Sequence, residues 1–368
     1  MKKFIPLSIP DLRGNIKGNL IKAIEENWVS SAAPGVKKLE IEIAKIASAK
    51  YAIATITGSA ALHLALKTLN LGSGNKVIIP DFTFAATINA VELTGASPII
   101  VDVNKEDWTL DCSLLDRVIL KEKPAAIIVV HTLGHPANMK AILALRRKYK
   151  IKIIEDAAGA MGAEYENKKI GCLGDAGIFS FNGNKVLTTG SGGALLLNSK
   201  KLYNRASLLA KQGKTGSEYK YKLSGFNYRM SNLNAALGYP QIKLFKQFLN
   251  KKIAIAKFYD TAFKSNNHFT PMPRNKKVRS SCWLYSLKMH NKKDAKSLIK
   301  HLKEKKIEAR RFWENLSSQK PYKNYLLISK KVSNSLSEKI VSLPCSTSLT
   351  KKDQETVIKE TLNWSKNI

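Results

Sequence analysis

A lysine and an aspartate 29 positions apart (185 − 156) are the residues best placed to do chemistry in this sequence. Lys185 closes the stretch Gly177-Ile178-Phe179-Ser180-Phe181-Asn182-Gly183-Asn184-Lys185, which begins as a strand-like run and breaks into Gly and Asn. Thr188-Thr189-Gly190-Ser191-Gly192-Gly193 follows, and seven of the chain's 21 glycines fall between Gly171 and Gly193. Glycine at that density marks backbone that bends sharply or comes close to a ligand. A lysine amine held there can lose its water, fall in pKa and attack a carbonyl to form a Schiff base. With Lys and Arg totalling 61, the ordinary fate of a lysine in this chain is a solvated surface charge. The loop, and the aspartate, set Lys185 apart. Asp156 ends the run Ile151-Lys152-Ile153-Ile154-Glu155-Asp156, an apolar strand pattern closed by two acids, and Ala157-Ala158-Gly159-Ala160 then opens a loop. In open α/β sheets ligands bind at the carboxyl ends of strands. A carboxylate placed there can hold a buried cation, such as a protonated ring nitrogen. The structural alternative is a capping or strand-end turn aspartate.

Other residues could assist. Thr57-Gly58-Ser59-Ala60-Ala61 lies between a strand pattern and a helix pattern. Ser59 reads as the helix N-cap, and the exposed N–H groups beside it would cradle a phosphate. Phe84, after Pro80-Asp81-Phe82-Thr83, reads as lying early in the next helix, where an aromatic could stack on a flat ring or pack in the core. His131 and His135 are four apart, but the intervening Gly134 and the following Pro136 argue against a helix and so against a metal pair. There is no GxGxxG fingerprint and no P-loop.

The elements that must position these groups alternate. Residues 51–56, 76–79, 98–103, 125–131 and 151–155 read as short apolar strands. Residues 60–69, 83–93 and 137–149 read as helices between them. Uninterrupted apolar strands interleaved with helices predict a mostly parallel sheet covered on both faces. Residues 231–263 read as long helix interrupted near Pro240, which marks the domain junction. A smaller α/β piece follows, with a strand over 283–289, a helix over 294–303 and a terminal helix from about 351.

The 368 residues suffice for two domains and a large core, and 44% hydrophobic content suits a soluble globular chain. The basic start carries no apolar core of the signal-peptide kind, and no run is long enough to span a bilayer, so a cytoplasmic location is expected. Four scattered cysteines, Cys112, Cys172, Cys282 and Cys345, predict reduced thiols and neither a disulfide framework nor a zinc site. The net charge of +33 is spread along the chain and is rich in Lys, whereas base readout favours Arg. Solvated helix faces account for it most simply, and attraction of an anionic small substrate is the functional alternative.

Taken together, these residues resemble the sugar aminotransferases of the DegT/StrS type. The resemblance runs over nearly the whole chain. It is carried by Ile5-Pro6-Leu7-Ser8, Trp28-Val29-Ser30-Ser31, Gly58-Ser59-Ala60-Ala61-Leu62-His63, Pro80-Asp81-Phe82-Thr83-Phe84, Glu155-Asp156-Ala157-Ala158, the Asn182-Gly183-Asn184-Lys185 turn, Gly225-Phe226-Asn227-Tyr228-Arg229 and Asn234-Ala235-Ala236-Leu237-Gly238. The turn is similar to that of the branch making 4-amino-4,6-dideoxy sugars.

The resemblance implies the type I fold of pyridoxal 5'-phosphate (PLP) enzymes, with a large PLP-binding domain over 1–245 and a small C-terminal domain over 246–368. It implies transfer of an amino group from glutamate to a nucleotide-activated 4-keto-6-deoxy sugar, through an internal aldimine on Lys185, with Asp156 facing the pyridinium nitrogen. Gly58, Ser59, the Ala60 N–H and Ser180 would meet the cofactor phosphate, and Phe84 would stack on the ring. Asn227 would reach the phosphate of a partner subunit, which implies a homodimer. Arg229 would face the substrate diphosphate, and Trp28 and Ser30 would border the sugar pocket. No metal, nucleic acid or membrane is implied. One departure stands out. Many members carry Gln or His three residues after the aspartate, and this chain has Gly159. The lysine separates it from relatives that place His there and act as sugar dehydratases. A PLP-dependent dehydratase or regulator-like homologue is the first alternative function, and a basic nucleic-acid-binding protein the second.

Overall fold

The computed structural model describes residues 3–216 and 219–368. Its large sheet is built from β1 (Tyr51–Thr55), β2 (Lys76–Pro80), β3 (Ser97–Val101), β4 (Ala126–Val130), β5 (Lys152–Asp156), β6 (Ala176–Ser180), β7 (Gly193–Leu197) and β8 (Leu326–Ile328). The spatial order is β1-β7-β6-β5-β4-β2-β3-β8. The strands from β6 to β8 in that order pair in parallel, and only β7 runs against its neighbours. This is the mostly parallel α/β architecture predicted from the strand patterns.

Burial explains why those strands read as unbroken apolar runs. Ile127 and Val129 of β4 join one apolar cluster, while Ala126 and Ile128 join another on the opposite face. The same split separates Ile153 from Ile154 in β5, and Phe179 from Ile178 in β6. Successive side chains of a strand point to opposite faces, so a sheet covered on both sides needs apolar residues at every position.

A four-stranded antiparallel sheet follows in the C-terminal part, ordered Phe269–Pro271, Tyr285–Met289, Ile340–Leu343, Arg310–Arg311. The helix Phe245–Phe263 bridges the two regions. Its Phe245, Phe248 and Leu249 pack in the core of the large sheet, and its Ile255, Ala256, Tyr259 and Phe263 in that of the small one. The helical stretch expected over 231–263 is broken near Pro240 as expected, the break falling just beyond it, after Ile242. Pro240 sits within Asn232–Ile242, and a bend at Lys243 and Leu244 separates that helix from the next.

The C-terminal part is also stapled to the strand ends of the large sheet. β8 pairs in parallel with β3, Leu326 opposite Ile99. Asp81, just past β2 and fully buried, accepts from the Ser317 N–H at 2.8 Å, Ser317 Oγ at 3.0 Å and Ser333 Oγ at 2.6 Å. Asp102, just past β3, accepts from the Val332 and Ser333 N–H groups at 3.0 and 2.8 Å. Neutral donors thus satisfy two buried carboxylates, as buried polar groups require. No helix among the described residues is long and apolar enough to cross a membrane.

Candidate active site

A cavity of about 340 Å³ opens at the carboxyl ends of β4, β5 and β6. Asp156 and Lys185 both line it. Asp156 is the last residue of β5. Thr87 Oγ1 donates to its Oδ2 at 2.8 Å and the Ala158 N–H to its Oδ1 at 3.2 Å, which fixes the plane of the carboxylate. Burial pushes its carboxyl above the ordinary aspartate value, and Thr87, the Ala158 N–H and the Lys185 charge pull back.

Lys185 sits in the turn after β6, with its N–H bonded to the Asn182 carbonyl at 2.9 Å. The chain beyond it is pinned. Thr188 Oγ1 and the Thr189 N–H both donate to the Phe181 carbonyl at 2.9 Å, and buried Gln241 donates to the Thr188 carbonyl at 2.8 Å. The residue is half-buried and its amine is desolvated. Burial lowers its pKa from 10.5 to about 7, Asp156 opposes the drop and Lys252 adds to it. Its Nζ lies 3.1 Å from the ring centroid of Trp283. A desolvated amine that titrates near neutrality can act as a nucleophile and carry a proton.

A phosphate cradle stands beside this pair. Gly58 and Ser59 open the helix Gly58–Thr68, and Ser180 ends β6; all three line the cavity. A methyl on Gly58 would stand 2.9 Å from Ser180 Cβ, so only glycine allows the helix start and the strand end to approach so closely. The N-cap is Thr57, not Ser59: Thr57 Oγ1 accepts the Ala60 N–H at 2.9 Å. Both hydroxyls suit a cap in sequence, and extended φ/ψ at 57 decides between them. The Ala60 N–H is therefore engaged, and the N–H groups of Gly58 and Ser59 are the ones that helix geometry leaves without an intrahelical acceptor. A buried carboxylate, a desolvated lysine and a cradle of N–H and hydroxyl donors fit the pyridinium, carbonyl and phosphate of PLP in turn.

Phe84 lies at the cavity, 61% exposed, in the loop before the helix Ala86–Glu92 instead of inside it. Five expected site residues, Ala60 among them, do not line the cavity of their own chain. Asn227 is exposed and pairs in an isolated bridge with Lys211. Arg229 turns its guanidinium to buried Glu40, at 3.6 Å. Trp28 and Ser30 hold the start of the helix Asn232–Ile242, their carbonyls accepting from the Asn232 side chain at 2.6 Å and its N–H at 3.1 Å. Arg310 and Arg311 pair with Glu308 and Glu338, whereas the adjacent Phe312 and Trp313 reach the cavity.

The structure adds groups with no assigned role in the sequence. Thr87 lies three residues beyond the Pro80 to Phe84 motif, and its partner Asp156 is 69 positions away. His131 lines the cavity with its Nδ1 accepting the Ala137 N–H at 3.1 Å, so its Nε2 carries the hydrogen toward Glu155, at 3.3 Å. No cluster of His, Cys, Asp and Glu among the described residues could hold a metal. Trp283 fills the space beside Gly159, where a Cβ would overlap its Cε3. The missing side chain at 159 was the one signal that could have prompted a search for a large partner.

Comparison with known proteins accords with this geometry. Residues 10–361 match the DegT/DnrJ/EryC1/StrS aminotransferase family. A GDP-perosamine synthase of Escherichia coli is 36% identical over 310 residues, covering 84% of each chain. A GDP-perosamine synthase of Caulobacter vibrioides is 32% identical over 358 residues, covering 96% of each. Among solved structures, Helicobacter pylori PseC, an aminotransferase involved in the biosynthesis of pseudoaminic acid, superposes over 100% of both chains with a TM-score of 0.94 at 25% identity. The chain belongs to the DegT/DnrJ/EryC1/StrS aminotransferase family, and pyridoxal 5'-phosphate is its cofactor.

Proposed function

We propose that this enzyme moves an amino group from glutamate to a nucleotide-activated 4-keto-6-deoxy sugar. One observation carries the reading: a desolvated lysine amine and a buried carboxylate converge on one cavity beside a phosphate cradle. The GDP-perosamine synthases among its relatives support the substrate class. The positive charge of the chain favours capture of an anionic sugar nucleotide.

Each residue has a task. Bound PLP supplies an electron sink conjugated to the amino group being moved. Lys185 would anchor the cofactor, and its Nζ would take the proton from the carbon that gives up the amino group and deliver it to the carbon that receives it. With a pKa of about 7, about half of such amines are uncharged near neutrality, which suits proton traffic in both directions. Asp156 holds negative charge against the ring nitrogen, and Thr87 and the Ala158 N–H keep it oriented. A cation beside Asp156 reverses the effect of burial and keeps the carboxylate ionised. Gly58, Ser59 and Ser180 hold the phosphate.

The working unit in this reading is a cytoplasmic homodimer. Asn227 and Arg229 serve the partner's site, and Trp28 and Ser30 border the sugar. The chain divides into a PLP-binding part over 1–245 and a smaller part over 246–368. Purified protein supplied with PLP, glutamate and a panel of UDP-, GDP- and dTDP-linked keto sugars tests the function. One of them should yield an amino sugar and 2-oxoglutarate by mass spectrometry, and Lys185→Ala should yield neither. Undiminished transfer by Lys185→Ala, or no amination of any keto sugar, would refute it.

A further inference from the structure

Trp283 lies in the bend just before the inner strand Tyr285–Met289 of the small sheet, 124 positions (283 − 159) beyond Gly159. Its indole is nearly buried and stands between the Gly159 backbone and Lys185. Three contacts fix it. Nε1–H donates at 2.9 Å to the carbonyl of Asn184, the residue before Lys185. The Trp283 carbonyl accepts from the buried amine of Lys252 at 2.9 Å. Ser281 Oγ donates to the Gly159 carbonyl at 2.8 Å, so the same segment clamps the glycine. The ring is thus tied to the backbone one residue before Lys185, its own segment is tied to the Gly159 carbonyl through Ser281, and the Lys185 amine lies on its face.

We propose that Trp283 is a positioning residue for Lys185: its indole holds the amine and excludes water from it, and position 159 is glycine because the indole occupies the volume of a side chain there. A π-face within 6 Å of an ammonium attracts it electrostatically, while the bulk of the indole removes solvent on that side. The two effects act on different states of the amine. The ring face steadies the cation, and the loss of water favours the neutral form. A residue at 159 long enough to reach the cavity would displace the indole and undo both. Gly159 and Trp283 therefore act as a pair.

The proposal rests on Lys185 being the reacting amine, but its test needs neither cofactor nor sugar. The full-length chain, stripped of PLP, is reductively methylated over a pH series, and labelling of Lys185 is followed by peptide mass spectrometry. The many surface lysines serve as internal reference. Trp283→Ala admits water and should raise the labelling midpoint of Lys185 by about one pH unit or more. Trp283→Phe keeps an aromatic face and should recover most of that shift. Gly159→Gln should move the midpoint, and Gly159→Gln/Trp283→Ala should bring it back toward the parent value, because the new side chain refills the gap. An unmoved midpoint in Trp283→Ala, or a double variant showing the sum of the single shifts, would overturn the proposal. Should Trp283→Ala fail to fold, Gly159→Gln decides alone, and an unmoved midpoint there is equally fatal. Loss of amino transfer with these labelling shifts intact would count against the proposed function and leave the pairing standing.

Discussion

Replacing Lys185 by methionine should stabilise the cofactor-free protein, and the gain should depend on pH. Burial lowers the amine from 10.5 to about 7. At about 1.4 kcal/mol for each pH unit, that displacement corresponds to a ceiling of roughly 5 kcal/mol. This is the cost of keeping the lysine enclosed when solution would protonate it. Part of it returns when the amine is removed, because Asp156 loses the Lys185 countercharge while keeping its hydrogen bonds from Thr87 and the Ala158 N–H. A net gain of about 2 kcal/mol is the reasonable expectation for Lys185→Met below pH 7. The sign with pH follows from proton binding. Between about 7 and 10.5 the unfolded chain holds a proton on this lysine that the folded chain does not, so the parent gains stability as pH rises through that window. The variant has no such group, so its advantage should be full below pH 7 and should shrink toward pH 10. Urea unfolding of both cofactor-free proteins at pH 6.5 and 9.5 measures the difference. An advantage equal at the two pH values, or none at either, would refute the reasoning.

Two further perturbations probe the remaining parts of the site. Asp156→Asn preserves shape and the Thr87 contact but removes the charge, and should lower kcat for amino transfer by about two to three orders of magnitude, measured by 2-oxoglutarate release. Gly58→Ala places a methyl 2.9 Å from Ser180 Cβ; it should cost about 1–3 kcal/mol in urea unfolding and weaken PLP binding in a spectrophotometric titration.

Six of the eight strands of the large sheet were legible because burial on both faces leaves a continuous apolar signature, whereas β7 and β8 were not read in the sequence. Asp156 was legible for the same reason, since it ends such a run. The N-cap was not. Thr57 and Ser59 both qualify by type, and the choice rests on backbone angles set by the approach of Gly58 to Ser180. The helix break expected near Pro240 falls at Lys243 and Leu244, because the proline itself is accommodated within the preceding helix. Trp283 was out of reach in a different way. Its role depends on a cavity wall assembled from residues more than a hundred positions apart, and only the empty side chain at 159 hinted at it. Arg229 likewise cannot be read without knowing that Glu40 is buried beside it.

The last strand of the large sheet has a consequence for biogenesis. β8 lies against β3 across 227 positions (326 − 99), and the parallel ladder cannot close until the ribosome has released that distant segment. Loop-closure entropy over such a span must be met before the pairing gives anything back, which makes this edge a slow, late event in folding. Until it forms, β3 presents a row of unpaired N–H and C=O groups to the crowded cell, and a nascent chain stalled before residue 326 would be prone to edge-to-edge association.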